Sequence, residues 1–374
     1  MGNTKNDLIE YLDIDVLEAA KQRIRHLIAS FDTLYVCFSG GKDSWTMLDL
    51  VDAVYKELGI KEKVKVIFRD EELIQDTVID FVNQVRLSGR FDFRYYCIPL
   101  ESEKYVLGNK NSYVQWCPNR RHLRPMPDYA IKTTEIMSQY TSDKFITQDG
   151  KGKIGLLIGI RAAESMVRLS SILVKKHESY IADTHYTNIK SCKPIYDWQE
   201  MDIFKYFYDT GIGYCKSYDY QMFANMPMRV STPLHAESSK NIYKLKQAEP
   251  AFYAQVCDLF PEMILQERYF HSLDRYGIIA KYPKSFLGIY QYIAQEITDA
   301  EQQNKARVMV AKAEKGRTNA IKEGKYNNPY GGYPILYVFK AVVNGSYKRV
   351  LMPKGFNAVT QKEKNYEEQS KQAV

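Results

Sequence analysis

Cysteine is scarce in this 374-residue sequence, and its six cysteines never lie closer than 20 residues apart. No C-x-x-C pair occurs, so we expect neither a structural zinc site nor a redox dithiol. Dispersed thiols of this kind are typical of a reducing compartment. The chain is long enough to bury a substantial core, so its stability does not require a disulfide framework.

Long apolar runs are also missing. No stretch reaches the ~18 uninterrupted apolar residues of a transmembrane helix, and residues 1–13 mix charged with apolar side chains. We therefore expect a cytoplasmic protein with no membrane partner. Hydrophobic residues make up 45% and charged residues 26% of the chain, a composition that excludes disordered and collagen-like proteins. Length alone predicts about two domains, at ~150 residues each.

Acidic residues are under-represented only in the last quarter of the chain. Residues 281–374 hold 16 Lys and Arg against 8 Asp and Glu, whereas the rest of the sequence holds 36 against 37. The net charge of +7 therefore comes from a basic C-terminal region. Such an asymmetry indicates a polyanionic partner such as nucleic acid. A Lys-rich, solvated surface that keeps the protein soluble explains it equally well.

Strand and helix patterns alternate through the first 230 residues. Residues 15–31 carry apolar side chains at helical spacing behind Asp15 as a candidate N-cap, residues 33–38 form a short apolar strand, and residues 45–58 return to helical periodicity. The alternation continues with strands at 64–68, 93–99 and 154–160 and helices at 75–87 and 162–169. This order predicts an α/β fold, a doubly wound, mainly parallel sheet with helices on both faces.

We expect three regions along the chain. They are an N-terminal helical segment at 1–32, a nucleotide-binding α/β domain at 33–230, and a mostly helical, basic C-terminal region at 231–374. Within the last region a hairpin is predicted at 333–352 around Asn344-Gly345. The final stretch of ~20 residues is expected to fray.

The strongest chemical signal lies between the strand at 33–38 and the helix at 45–58. It is the segment Ser39-Gly40-Gly41-Lys42-Asp43-Ser44. Adjacent glycines let the backbone turn sharply, and the amides of a helix N-terminus attract phosphate. The Lys42 ammonium adds a donor, while Asp43 can cap the turn or face a metal. The spacing fits neither a Walker A loop nor G-x-G-x-x-G. A glycine turn that merely joins strand to helix is the alternative.

This hexapeptide resembles the PP-loop, S-G-G-x-D-S, of the adenine nucleotide alpha-hydrolase superfamily. Two later segments are similar to motifs of the phosphoadenosine phosphosulfate (PAPS) reductase-like branch. Residues 159–168 match G-x-R-x-x-E-S-x-x-R, and residues 193–204 match P-I-x-D-W-x-x-x-D-(V/I)-(W/F). The three segments occur in the family's order, and the resemblance covers residues 15–230.

The resemblance implies a site that binds ATP or a PAPS-like adenine nucleotide with Mg²⁺ and cleaves the bond between its α- and β-phosphates. The implied nucleotide-binding and catalytic residues are Ser39, Gly40, Gly41, Lys42, Asp43 and Ser44 of the PP-loop, and Gly159, Arg161, Glu164 and Arg168 of the later motif. Asp43 would organise the loop or contact Mg²⁺. Arg161 and Arg168 would stabilise charge on the phosphates. For Arg168, a surface ion pair with Glu164 is the alternative.

Two other segments lie where the family places nucleotide or substrate contacts. Asp70 and Glu71 follow the second strand and would contact ribose or Mg²⁺, although acids are equally common at a helix N-terminus. Cys117 lies beside two arginines and a histidine, where it could act as a nucleophile or sulfur carrier, or be a buried structural thiol. Asp197 is expected to cap a helix that starts near Trp198.

The sequence also departs from true PAPS reductases. Their Glu-Cys-Gly-(Ile/Leu)-His tail is absent, since the last cysteine is Cys257, and the cysteine pairs of an iron–sulfur cluster are missing. We therefore expect α–β bond cleavage, by hydrolysis or adenylyl transfer in nucleic-acid modification or sulfur metabolism, rather than reduction. The alternative is a non-catalytic nucleotide-binding regulator that acts through a partner protein or DNA. The basic stretch 305–325 is the candidate contact for nucleic acid.

Overall fold

The computed structural model describes residues 12–173, 178–270, 275–325, 328–345, 347 and 351–371. The chain divides into two compact units, an α/β unit (Asp13–Val106 and Asn111–Arg268) and a helical unit (Met1–Leu12, Leu107–Lys110 and Tyr269–Val374). The α/β unit thus continues past the boundary predicted at residue 230 and includes the helix predicted at 15–31. Residues 1–11 of the predicted N-terminal segment lie outside the described residues.

The described residues form nine strands: β1 (Thr33–Cys37), β2 (Lys65–Arg69), β3 (Asp92–Cys97), β4 (Leu100–Val106), β5 (Asn109–Gln115), β6 (Ile131–Lys132), β7 (Ile154–Ile158), β8 (Ile181–Asp183) and β9 (Ile189–Cys192). Seven of these strands form one sheet in the order β6-β3-β2-β1-β7-β9-β8, and β4 and β5 form a second sheet. Neighbouring strands of the larger sheet are parallel except β8 and β9. The predicted α/β fold with a mainly parallel sheet is confirmed.

The order of the strands reverses at β1. Strands β2 and β3 lie on one side of β1, whereas β7 pairs with β1 on the other side, so that Tyr35 lies opposite both Lys65 and Leu156. Open α/β sheets bind ligands at such a switch point, beyond the carboxyl ends of the strands. The chain leaves β1 at Cys37, and the PP-loop therefore begins at this point.

Eleven helices begin in the described part of the α/β unit, and the last of them ends one residue beyond the unit. They are α1 (Val16–Ser30), α2 (Lys42–Glu57), α3 (Asp76–Leu87), α4 (Gln139–Ile146), α5 (Met166–Leu173), α6 (Glu200–Thr210), α7 (Ser217–Phe223), α8 (Ala236–Ser239), α9 (Ile242–Ala248), α10 (Pro250–Leu259) and α11 (Glu262–Tyr269). Asp15 caps α1 as predicted, because its carboxylate accepts a hydrogen bond from the Glu18 amide at 2.8 Å. A single 3-10 turn, Ala162–Glu164, precedes α5.

The predicted cap at Asp197 is wrong. Helix α6 begins at Glu200 and has Gln199 as its N-cap. Asp197 instead accepts two hydrogen bonds from the guanidinium of Arg23 on α1, at 2.7 and 2.8 Å. This bidentate pair ties α1 to the segment before α6.

Packing of α2 fixes the start of that helix relative to the sheet. Its side chains Trp45, Leu48 and Val51 are buried in one core with Val36 of β1 and Phe68 of β2. Each large apolar side chain buried in this way stabilises the fold by about 1.5–3 kcal/mol. The loop that connects β1 to α2 therefore has two firmly held ends.

The described part of the helical unit contains α12 (Arg275–Ala280), α13 (Phe286–Glu296), α14 (Ala300–Lys322), α15 (Ile335–Val343) and α16 (Gln361–Lys371). The hairpin predicted at 333–352 is wrong in its first arm, since residues 335, 338, 339 and 342 are buried at helical spacing. Residues 346 and 348–350 of its second arm lie outside the described residues. The predicted fraying is also wrong, because Tyr366 of α16 is buried in the core of this unit. No helix of the described residues is long and apolar enough to cross a membrane.

Candidate functional site

Gly40 sets the path of the PP-loop. Its φ of +76° lies in the left-handed region, which glycine adopts without steric cost. A Cβ at this position would lie 2.7 Å from Cγ1 of Val78 and 2.9 Å from Cγ2 of Val82. Glycine is therefore required both by the backbone conformation and by the packing of α3 against the loop.

Ser39 and Ser44 tie the two ends of the loop together. The hydroxyl of Ser44 donates to the carbonyl of Gly41 at 3.0 Å and accepts from the amide of Ser39 at 3.1 Å. The two serine oxygens lie 3.0 Å apart, and the Gly41 amide donates to Ser39 Oγ at 3.3 Å. These contacts bring the predicted phosphate-binding residues together in one cradle at the N-terminus of α2, where helix amides favour anions.

Lys42 is buried in this cradle, with 4% of its surface exposed. Its Nζ donates to the carbonyl of Met228 at 2.9 Å and lies 3.2 Å from Oε1 of Glu200. Its backbone amide donates to the hydroxyl of Tyr218 at 2.7 Å. Burial raises the pKa of Tyr218, which therefore stays a neutral phenol near pH 7. A buried ammonium needs such partners, and a phosphate would be a stronger one.

Asp43 connects the PP-loop to the end of β7. Its Oδ1 lies 2.5 Å from Nε of Arg161, and its Oδ2 lies 3.4 Å from Nζ of Lys42. Arg161 is 4% exposed and follows β7 by three residues. Lys42, Asp43 and Arg161 therefore meet at the switch point of the sheet. Lys42 and Asp43 lie at the start of α2, whereas Arg161 follows β7.

Gly159 allows this close approach. A Cβ on Gly159 would lie 2.9 Å from the carbonyl carbon of Asp43 and 2.9 Å from the amide nitrogen of Ser44. Both neighbours are backbone atoms of α2, which cannot move without disturbing the helix. The PP-loop can lie this close to the end of β7 because residue 159 has no side chain.

A Mg²⁺ ion, which the family resemblance implies, would find one loop carboxylate here. In the described part of the chain, no cluster of three or more His, Cys, Asp or Glu side chains could hold a metal by itself. Proteins often bind Mg²⁺ through one or two carboxylates together with substrate phosphates. The residues fit an ion held chiefly by a nucleotide, with Asp43 as its protein contact. Such an ion neutralises charge on the phosphates when it is bound.

Three guanidinium groups lie near one another beside the PP-loop. Glu164 contacts both predicted arginines: it forms an ion pair with Arg168, and its Oε1 lies 3.6 Å from Arg161. Arg229, which the sequence analysis missed, lines the same cavity. Burial, the charge of Arg229 and the charge of Arg161 lower the pKa of Arg168. Cations gathered in this way stabilise an anion placed between them.

These residues surround a cavity of about 800 Å³ in the α/β unit. The PP-loop and the segment after β7 line one end of it, and Arg69, Glu71, Gln139 and Asp143 line the part beyond β2. Burial raises the pKa of Asp143. The volume suits a ligand of nucleotide size, since small-molecule pockets measure about 300–1,000 Å³.

Asp70 and Glu71, which were predicted together, have different surroundings in the structure. Glu71 lines the cavity, whereas Asp70 is fully buried away from it and is not among its lining residues. The carboxylate of Asp70 accepts hydrogen bonds from Tyr95 at 2.6 Å and Arg124 at 2.6 Å. Asp70 thus fixes the loop that contains Arg124, and only Glu71 is placed for the predicted nucleotide contact.

The two arginines that lie beside Cys117 in the sequence pair with carboxylates. Arg120 forms two hydrogen bonds to Glu72, at 2.7 and 3.0 Å, and Arg121 pairs with Asp258. Cys117 is half-buried and does not line the cavity described above. The cysteine that does line it is Cys37, and burial raises the pKa of this thiol to about 12. A catalytic role for Cys117 stays a prediction that this geometry does not favour.

Tyr218, Met228 and Arg229 come from α7 and the segment that follows it, and no sequence pattern marked them. Gln221, which is buried, donates to the carbonyl of Arg229 and accepts from its amide, both at 2.8 Å. This reciprocal pair fixes the backbone beside the cavity. Glu200 could have been found, because it lies in the segment 193–204 that resembles a family motif.

Three features define a member of the adenine nucleotide alpha-hydrolase superfamily. They are the sheet, the S-G-G-x-D-S loop after its central strand, and the arginine motif after β7. Within this superfamily, residues 33–226 match the phosphoadenosine phosphosulfate reductase domain, which is just over half of the chain. The chain therefore belongs to the PAPS reductase domain family, and the predicted family is confirmed.

Three proteins similar to the chain share 26% or less of its sequence. The uncharacterized protein YbdN of Escherichia coli K12 is 26% identical over 267 residues, which span 66% of this chain and 65% of YbdN. The FMN adenylyltransferase of Candida glabrata shows 15% identity and a TM-score of 0.37 over 55% of this chain and 59% of its own. The PAPS reductase of Candida auris shows 14% identity and a TM-score of 0.32 over 56% and 93%. Scores this low carry no argument about the ligand or reaction of this chain.

Proposed function

We propose that the protein binds ATP or a closely related adenine nucleotide with Mg²⁺ and cleaves the bond between its α- and β-phosphates. The observation that carries the proposal is the contact of Lys42, Asp43 and Arg161 across the switch point of the sheet. Two buried cations and a helix N-terminus converge there on one side of a cavity of nucleotide size. This arrangement matches the charge of a polyphosphate rather than that of an apolar ligand.

The reaction would be driven mainly by electrostatic stabilisation. An acceptor oxygen, from water or a second substrate, attacks the α-phosphorus, the bond from the α-phosphorus to the bridging oxygen breaks, and pyrophosphate leaves with its electron pair. Lys42 and the amides of α2 would hold the β- and γ-phosphates, while Arg161 and Arg168 would neutralise charge that develops on the leaving group. Asp43 would keep Lys42 and Arg161 in place and contact the Mg²⁺ ion.

Sulfonucleotide reduction is not part of the proposal. The thiol at the cavity, Cys37, is held neutral by burial. All six cysteines are free, which supports the expectation of a reducing, cytoplasmic location.

The acceptor that we propose is a nucleic acid, because the basic excess of the chain lies in the helical unit.

The test is release of pyrophosphate from ATP and Mg²⁺ by the wild type, Lys42→Ala and Asp43→Ala proteins, with and without nucleic acid. We expect both variants to lose release. A matched control is Lys205→Ala, which removes an exposed lysine of α6. Equal release by all four proteins would refute the assignment of the PP-loop.

A nucleotide-binding regulator is the second candidate, and Tyr218 favours it. Because the hydroxyl of Tyr218 accepts from the Lys42 amide, a phosphate that binds this amide must displace the Tyr218 hydroxyl, and Tyr218 lies on α7. Nucleotide binding would then change the segment after α7 without any bond cleavage. Calorimetry distinguishes the candidates: the regulator binds ATP through Lys42 and releases no pyrophosphate under any condition.

A further inference from the structure

The cavity of the α/β unit has a second end, beyond β2, which holds none of the proposed phosphate-binding residues. Part of its lining is apolar, since Ile67, Ile146 and Leu156 line the cavity and are buried together in one core. Ile67 lies on β2, Leu156 on β7 and Ile146 at the end of α4. An apolar surface with a few polar groups beside it suits the flat face of a nucleobase.

Helix α4 brings polar side chains to this end of the cavity. Its N-terminus is fixed by a capping box, in which the hydroxyls of Ser138 and Thr141 each accept from the backbone amide of the other residue. Arg69, at the end of β2, donates to Oγ of Ser142 at 2.9 Å and to Oε1 of Gln139 at 3.2 Å. These contacts hold α4 against β2, so the side chains of α4 have fixed positions relative to the sheet.

Asp143 lies one turn beyond the start of α4 and lines the cavity. Its carboxylate is half-buried and accepts no hydrogen bond from the part of the chain that the structure describes. Burial raises the pKa of Asp143, whereas the charge of Arg69 lowers it. A carboxylate withdrawn from water in this way needs hydrogen-bond donors, and a ligand in the cavity can supply them.

Arg69 is the charged neighbour of Asp143, but its hydrogen bonds go elsewhere. Its two terminal nitrogens donate to α4, and it forms no ion pair with any described carboxylate. Both groups lie near the end of β1, because burial raises the pKa of Cys37, Arg69 lowers it and Asp143 raises it further. The second carboxylate at this end, Glu71, acts instead on His235, whose pKa burial lowers and Glu71 raises. Of the two carboxylates, Asp143 is therefore the one beside the carboxyl end of β1.

The position of Asp143 gives the cavity a means of identifying the base. Adenine carries an exocyclic amine at C6, which donates hydrogen bonds, whereas 6-oxopurines such as guanine carry a carbonyl oxygen there. A carboxylate oxygen accepts from the amine and repels the carbonyl oxygen. We propose that Asp143 accepts a hydrogen bond from the exocyclic amine of adenine and thereby excludes 6-oxopurine nucleotides. The inference rests on the proposed function, because phosphates held at the PP-loop place the base at the second end of the cavity.

The test compares the Kd values of ATP and inosine triphosphate (ITP), whose bases carry an amine and a carbonyl at C6. Calorimetry on the full chain without Mg²⁺ measures binding in the absence of cleavage. The wild type should bind ATP at least about tenfold more tightly, because the analogue leaves the acceptor of the site unpaired. Asp143→Asn should reduce this ratio to about threefold or less, since the asparagine amide donates to the carbonyl of ITP and accepts from the amine of ATP.

The matched control is Glu135→Gln, which neutralises an exposed carboxylate that lies before α4 and does not line the cavity. It should keep the wild-type ratio. Lys42→Ala should weaken both triphosphates alike and leave their ratio unchanged, because Lys42 acts at the other end of the cavity.

Three results would overturn the inference: equal ratios in the wild type and Asp143→Asn, tighter binding of ITP or GTP than of ATP by the wild type, or no binding of any of these nucleotides. Failure of the proposed reaction has a different signature. The wild type would then release no pyrophosphate in the presence of Mg²⁺, while its preference for ATP over ITP would still depend on Asp143.

Discussion

The Oδ1 atom of Asp43 lies 2.5 Å from the Nε atom of Arg161, and this contact joins the first turn of α2 to the segment after β7. The two residues are 118 positions apart in the sequence and meet because β1 and β7 are neighbours in the sheet. The contact holds the Arg161 guanidinium against the PP-loop. A polyphosphate would therefore enter a site whose charges are already in position.

Gly159→Ala should weaken nucleotide binding. The added Cβ would lie 2.9 Å from backbone atoms of Asp43 and Ser44, so the PP-loop must move away from β7. We expect the Kd for ATP, measured by calorimetry, to rise at least about tenfold, which corresponds to about 1.4 kcal/mol. The control is Gly213→Ala, whose added Cβ meets no atom within 4 Å. Wild-type affinity in Gly159→Ala would show that the close approach is not needed.

Arg229→Ala should raise the KM for ATP by about three- to tenfold and leave kcat nearly unchanged. Arg229 lines the cavity, is exposed, and forms no ion pair with any described carboxylate. An exposed charge contributes about 1 kcal/mol or less, mostly to binding. The control is Arg121→Ala, an exposed arginine outside the cavity. An unchanged KM at low ionic strength would remove Arg229 from the site.

Tyr218→Phe should lower the stability of the protein without ligand and increase the stabilisation that a bound phosphate group provides. The variant leaves the buried Lys42 amide without its acceptor, which costs about 1–3 kcal/mol. A phosphate that accepts from this amide no longer competes with the phenol. Thermal unfolding should therefore show a lower Tm without ligand and a larger rise on addition of pyrophosphate than in the wild type. A smaller rise would mean that Tyr218 is part of the phosphate site instead of a competitor.

Glu363 should make stability depend on pH in the acid range. Burial alone would raise its pKa, but hydrogen bonds from Lys354 at 2.7 Å and the Thr360 amide at 2.8 Å outweigh burial and lower the pKa. A lowered folded-state pKa stabilises the fold above the unfolded value of about 4.3, and this contribution is lost as the pH falls through the folded value.

The variant Glu363→Gln should therefore have a lower Tm than the wild type at pH 6, and the difference should shrink as the pH falls below about 4. Glu368→Gln, on the exposed side of the same helix, should show little change at any pH. A constant difference between Glu363→Gln and the wild type from pH 6 to pH 3 would contradict the role assigned to the ion pair.

The sequence was sufficient to predict the sheet and the PP-loop because both depend on local patterns. The strand, the glycine turn and the helix are consecutive, so Ser39 to Ser44 could be placed at the carboxyl end of β1 without long-range information. Arg161 was found in the same way, after another strand. Parallel strands bring such ends to one edge of the sheet, which is why the two segments meet.

The rest of the site depends on contacts between distant residues. Asp70 and Glu71 are adjacent in the sequence, and only the pairing of Asp70 with Arg124, 54 positions away, shows which of them faces the cavity. Tyr218 and Arg229 belong to a segment with no strand pattern and no motif. The hairpin was predicted from Asn344-Gly345, but the burial spacing of α15 overrode that local turn signal.

The most direct test of the proposed chemistry is the identity of the products formed from ATP. The wild-type protein, supplied with ATP, Mg²⁺ and nucleic acid, should yield pyrophosphate together with AMP or an adenylylated acceptor, seen by ³¹P NMR as signals for cleavage between the α- and β-phosphates. Lys42→Ala should yield neither. Formation of ADP and orthophosphate, or product formation that survives Lys42→Ala, would contradict the assignment of this site as an adenine nucleotide alpha-hydrolase centre.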